Sequence, residues 1–188
     1  YQKQINYIKD IVDAGFPLDH VVLRIDPIIP TTKAITLAAK AIDLAKELNI
    51  LNATGPSARI RMSVYDEYKH VKLRLKNIGI NPIYEGTRFY ANSKEFTDVL
   101  NMLDQHIPHT LTVGTCAEPT LVKLAQTHPT NLIAQGCLSV EDLTIMNIDS
   151  NLAPKHVNGQ NRFGCLCLTC KKELLTNKKQ CPKQMLKL

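Results

Sequence analysis

The sequence contains no tryptophan, and only 5% of its residues are aromatic. It also has no apolar run close to the roughly 20 residues that a membrane-spanning helix needs, so no segment reads as a helical span. The N-terminal stretch YQKQINYIKD has neither the basic start nor the apolar stretch of a signal peptide. It lacks an initiator methionine as well. The chain is therefore expected to be cytoplasmic and to be a fragment of a longer protein. No internal repeat is evident. With 44% hydrophobic residues in 188, the composition is that of a globular chain with enough apolar material for one sizeable core, not of a disordered one.

An excess of positive charge is also missing over most of the chain. The formal net charge is +6, yet residues 155–188 hold eight Lys/Arg and a single acid, and residues 1–154 sum to −1. The basicity therefore belongs to a C-terminal tail and not to the body. Nucleic acid is a candidate partner for that tail, through its lysines and phosphate groups.

The body alternates helical and extended segments. QINYIKDIVDAG spaces Ile5, Ile8, Ile11 and Val12 at helical intervals and closes at Gly15. HVVLRIDPII is β-branched and extended, and TTKAITLAAKAIDLAKELNI is the strongest helix, with Thr31 or Thr32 as its cap. ARIRMSVY is a second strand. DEYKHVKLRLKNIG reads as a helix ending at Gly79, and SKEFTDVLNMLDQHI as another capped by Ser93. HTLTVGTCAE, PTLVKLAQTH, NLIAQGC and SVEDLTIMN continue as strand, helix, strand and short helix, with Pro119 opening the first of these helices and Ser139 capping the second. Recurrent β–α alternation predicts a parallel sheet, with strands over residues 20–28, 58–65, 109–116 and 131–136 and helices along one side. The fold class is accordingly α/β. Four such units fit a small open sheet or a half βα barrel.

In parallel α/β folds ligands gather at the C-terminal ends of the strands. Here those ends carry Arg24, Asp26, Tyr65, Asp66, Cys116, Glu118, Gln135 and Cys137. Asp26 and Asp66 could instead cap the following helices, and the cysteines could be small core residues. Arg24 and Asp26 alternate with Leu23 and Ile25, so the charged pair shares one strand face and would point into a barrel.

Four of the six cysteines lie in NRFGCLCLTCKKELLTNKKQCPKQ as C-x-C-x2-C-x10-C. Clustered thiols in an intracellular chain point to metal or redox chemistry. Cys165, Cys167, Cys170 and Cys181 form a four-thiolate set suited to zinc or an iron–sulfur cluster, and the neighbouring lysines favour the thiolate form. A segment with so few large apolar residues needs metal to supply its folding energy. Residues 1–154 are thus read as a partial βα-barrel domain and residues 155–188 as a cysteine-rich basic tail.

RIDPIIPT, TCAE, GCLSVEDL, NGQNRFGCLC and KKELLTNKKQCP, spread over residues 18–182, resemble the family catalogued as domain of unknown function 1848 and its relatives similar to spore photoproduct lyase. The resemblance implies the C-terminal half of a radical S-adenosylmethionine-like barrel. It further implies a 4Fe-4S cluster near Cys165, Cys167, Cys170 and Cys181, and S-adenosylmethionine held by Arg24, Asp26 and Glu118. Cys116 and Glu118 would be the catalytic residues of a lyase or related enzyme, and nucleic acid the first substrate class. Met185 and Leu188 stand where the family's C-terminal run places its second and third cysteines. The alternative is a non-catalytic module with structural zinc on the four cysteines and lysines on phosphate. A half barrel leaves two sheet edges to be covered by an N-terminal half or a partner chain.

Overall fold

The computed structural model describes residues 1–51, 59–115, 119–134, 145 and 147. Its elements run α1 (Gln2–Asp13), a 3-10 turn (Leu18–His20), β1 (Leu23–Ile28), α2 (Thr32–Glu47), β2 (Ile60–Val64), α3 (Lys69–Asn77), α4 (Ser93–His106), β3 (Thr112–Thr115), α5 (Pro119–Ala125) and β4 (Asn131–Ala134). The four strands form one sheet in the order β1-β2-β3-β4, and every neighbouring pair is parallel. The strands lie inside the expected spans, with β1 and β3 each starting three residues later than expected and β2 ending one residue earlier.

Alternation along the strands sorts the two faces of the sheet. Ile60, Met62 and Val64 of β2 and Val113 of β3 are buried with Leu100, Leu103, Val99 and Leu121 from the helices. A second apolar cluster joins Ile5 of α1, Leu23 of β1 and Ala41 and Ala45 of α2. The helices pack in sequence, α1 on α2, α2 on α4 and α4 on α5. They form one layer over one face of the sheet, as the periodicity predicts. Small residues on α2 (Ala38, Ala39, Ala41, Ala45) let it sit close to both sheet and neighbours.

The crossover from β2 to β3 carries two helices. α4 occupies the layer between α2 and α5, whereas α3 has no extensive packing on any other element. The caps show a related contrast. Thr31 accepts from the Ala34 amide and caps α2. Ser93 does not cap α4: Asn92 does, in a capping box with Glu95. Glu95 at the third helical position can reach back to the Asn92 amide, a reciprocal pair that places the cap one residue before Ser93. α3 has no side-chain cap at all.

Candidate functional site

The sheet face opposite the helices carries a row of Cα partners running Arg24, Arg61, Gly114 and Ile133 across the four strands. One step toward the C-terminal edge, β1 contains an irregularity. Ile25 pairs with Met62 and Ile28 with Val64, so Asp26 and Pro27 together oppose Ser63 alone. Such a bulge re-aims the side chain it carries. Here it sets Asp26 between its strand neighbour and the next strand: Arg24 donates to Asp26 Oδ2, and the Ser63 hydroxyl donates to Asp26 Oδ1. The Asp26–Pro27 peptide is cis.

Arg24 and Asp26 therefore share a strand face as expected, while Leu23 is buried on the other side and Ile25 packs against both apolar clusters. The pair is less enclosed than a barrel interior would make it, the Arg24 side chain being 46% and that of Asp26 26% exposed. Asp26 does not cap α2, since Thr31 does. Asp66 does not cap α3 either, and accepts from the Tyr68 hydroxyl at 3.4 Å. Arg61, beside Arg24, is 4% exposed. The sequence reading passed over Arg61 and Ser63, yet their signal is present: Arg59, Arg61 and Ser63 share one parity in ARIRMSVY, and Ile60, Met62 and Val64 the other.

Just past the end of β2 a fully buried carboxylate organises the chain. Glu67 accepts from the amides of Ile83 at 2.8 Å and Tyr84 at 3.0 Å, and the Lys72 ammonium lies 3.8 Å from it. Lys72 also donates to the Tyr84 carbonyl at 2.7 Å and the Gly86 carbonyl at 2.9 Å. Tyr84 in turn donates its hydroxyl to the Tyr65 carbonyl at 2.6 Å, and the Arg88 guanidinium lies over its ring. Burial, with the Glu67 charge adding to it, pushes the Tyr65 phenol above its ordinary pKa. This network fixes Tyr65 and the start of α3 at the C-terminal edge of β2. Sequence alone offers no route to Glu67, because its partners are backbone amides 16 and 17 residues away.

The remaining sequence candidates, Cys116, Glu118, Gln135, Cys137, Cys165, Cys167, Cys170 and Cys181, lie outside the described residues. So do the Ser139 cap and the tail, residues 155–188. Among the described residues no group of three or more His, Cys, Asp and Glu side chains is placed to hold a metal ion. No helix among them is long and apolar enough to cross a membrane. A groove of about 1070 Å³ runs between α2 and α4, lined by Thr31, Ile35, Ala39, Lys40, Met102 and His106 among others, and of the described candidates neither Arg24, Asp26, Tyr65 nor Asp66 borders it. In comparisons with known proteins the chain matches no family model, no curated protein and no solved structure.

Proposed function

We propose that the chain is the C-terminal part of a radical S-adenosylmethionine-like iron–sulfur protein, with its sheet as half of a βα barrel and its polar face turned toward the ligand. The carrying observation is the Arg24–Asp26–Ser63 cluster on the face away from the helices of an all-parallel, sequentially ordered sheet. Sequential order with helices on one side is how a barrel wall is built. A doubly wound sheet instead reverses its order at a switch point and carries helices on both faces.

The donor sets fit the proposed groups chemically. Cys165, Cys167, Cys170 and Cys181 are soft thiolates of the type that hold iron–sulfur clusters. Arg24 presents a cation and Asp26 an anion on one face, which suits the carboxylate and ammonium of a methionine group through charge-assisted hydrogen bonds. When bound, the cluster and S-adenosylmethionine supply radical chemistry, with nucleic acid as the proposed substrate class. This chain's own part is to anchor: Arg24 holds a carboxylate, Asp26 with Ser63 holds the ammonium and fixes the Arg24 fork, and Glu118 adds a further carboxylate. Met185 and Leu188, at the family's cysteine positions, favour a second reading in which the same four thiolates hold structural zinc and the tail lysines contact phosphate without catalysis.

Anaerobic purification with metal analysis separates the two. Brown protein containing iron is the expected result, and colourless protein with zinc selects the second reading. Arg24→Ala should abolish S-adenosylmethionine binding by calorimetry while leaving iron content unchanged. Binding that survives the substitution would remove Arg24 from the site. Cys167→Ser should speed trypsin cleavage after Lys171, Lys172, Lys178 and Lys179 while the body stays resistant, and unchanged protection would mean that the cysteines do not organise the tail.

A further inference from the structure

α3 contradicts the electrostatics of its own backbone. A helix N-terminus carries partial positive charge, so cations in the first turn are unfavourable and acids favourable. α3 begins with Lys69 and His70, has no acid in its first turn and has no side-chain cap. Arg74 and Lys76 in its last turn suit the dipole, but Lys69 does not. From Lys69 to Tyr84 the sequence contains no acidic residue. Among the described residues neither Lys69, Arg74 nor Lys76 forms an ion pair.

Packing does not account for the helix either. None of its residues is buried, and Val71 and Leu75, its half-buried apolar side chains, join neither apolar cluster. Leu73 is 54% exposed, with Lys69 four residues before it and Lys76 three after, which places all three on one helical face. A sequence chosen for stability alone would place acids at the start of this helix and apolar residues inward. Departures from such local rules are expected where a site serves function rather than stability.

Aromatic rings gather at the N-terminal end of this helix. Tyr68 and His70 stack at 5.8 Å with 16° between their planes. The Glu67 amide donates to the Phe89 carbonyl at 2.6 Å, which brings the Phe89–Tyr90 segment alongside. Those two rings meet edge to face at 4.9 Å, and Tyr90 is 52% exposed. Lys72, bonded to the carbonyls of Tyr84 and Gly86, ties α3 to the loop that leads to these rings. Exposed cations along a helix, with exposed His70 and Tyr90 rings near its N-terminal end, are the chemistry of single-stranded nucleic-acid binding, in which charge tracks the phosphates and rings stack on bases.

We propose that α3 and the Phe89–Tyr90 segment form a single-stranded nucleic-acid platform on the α/β body, separate from the basic tail. The inference extends the reading of a nucleic-acid partner and does not depend on the cluster. Its test is fluorescence anisotropy of the full chain with a labelled single-stranded oligothymidine over a salt series. The combined variant Lys69→Glu, Arg74→Glu, Lys76→Glu should weaken binding at least tenfold and lower the slope of log affinity against log salt by about 2, the value for three lost phosphate contacts on a single strand. Tyr90→Ala with His70→Ala should weaken binding about tenfold with the slope unchanged, since stacking carries no counterion release. Both variants should keep the parent's thermal midpoint and iron content, so a failure here is read apart from a failure of the cluster assignment. Three results would overturn the platform: unchanged affinity in the charge-reversed variant, loss of binding only when the tail lysines are reversed, or loss of binding to vesicles containing phosphatidylserine with oligothymidine affinity intact. If the ring variant binds oligothymidine as tightly as the parent, α3 is a general polyanion surface and the single-strand assignment falls.

Discussion

α3 and α4 belong to the same crossover, but they are built by opposite rules. α4 has a capping box, an acid in its first turn and a histidine in its last, and it buries Phe96, Val99, Leu100, Met102 and Leu103. α3 has no cap, a cation in its first turn and no buried residue. α4 is held by the sheet and the two helices beside it. α3 is held through Glu67 and Lys72, with Val71 and Leu75 half-buried, and its Lys69, Leu73 and Lys76 side faces solvent. The crossover thus devotes one helix to covering the sheet and leaves the other available to a partner.

The sharpest way to break this comparison is a matched pair of truncations. Leu100→Ala in α4 removes a fully buried side chain and should cost about 3 to 4 kcal/mol in urea unfolding. Leu73→Ala in α3 should change stability by no more than about 0.5 kcal/mol. Equal losses would mean that α3 is part of the core.

A smaller effect is expected where the two helices are linked. Glu67→Gln retains the shape but replaces one carboxylate oxygen with a donor that faces a backbone amide, at a cost of about 2 kcal/mol. Hydrogen exchange should then quicken at the Ile83 and Tyr84 amides, with that of Leu100 and Leu103 affected only through global stability. Uniform acceleration across α4 would show that the network supports the whole layer.

The smallest expected effect depends on pH and concerns α4 and the groups packed against it. Burial by itself would raise the Asp104 carboxyl, but hydrogen bonds from Thr130 and His128 outweigh it and hold its pKa below the ordinary value. Asp43 on α2 is lowered as well, first by the hydrogen bond with His106 and against the opposing effect of burial. A carboxyl lowered in the folded state contributes stability in full above its unfolded pKa, about 3.9 for Asp, and loses it as pH falls through the lower folded value. The urea midpoint should therefore drop below about pH 4, and Asp104→Asn should flatten that drop. A variant that follows the parent's acid limb would exclude Asp104 from it.

Much of the architecture was legible because it rests on periodicity. The parity of Leu23 and Ile25 against Arg24 and Asp26, and the helical spacing through Thr32–Glu47, are local signals, and the parallel sheet follows from them. The cap of α4 was misplaced by one residue because Asn92 and Ser93 are both good capping residues, and the reciprocal bond from Glu95 decides between them. The starts of β1 and β3 were placed too early, because extended composition reaches back before the residues that pair across the sheet. Glu67 was hidden for a different reason: apart from the Lys72 ammonium at 3.8 Å, its partners are main-chain amides, which have no residue identity to read. The exposure of α3 could not be read either. A helix with Val71, Leu73 and Leu75 looks packable until the layer it would join is shown to be filled by α4.

The sequential order of the strands has a further consequence for assembling the sheet from an open chain. Thr112 pairs with Asn131 across 19 positions, and Ile60 with Val113 across 53. Joining two distant points on a flexible chain loses entropy in proportion to the logarithm of the intervening length, and the difference between these two closures is about 0.9 kcal/mol. The C-terminal pair of strands is therefore the easier one to bring together. The wide β2–β3 loop, which carries α3 and the Glu67 network, bears the larger ordering cost, and wherever the hydrogen bonds within residues 65–90 have formed they shorten the free length that this loop must close.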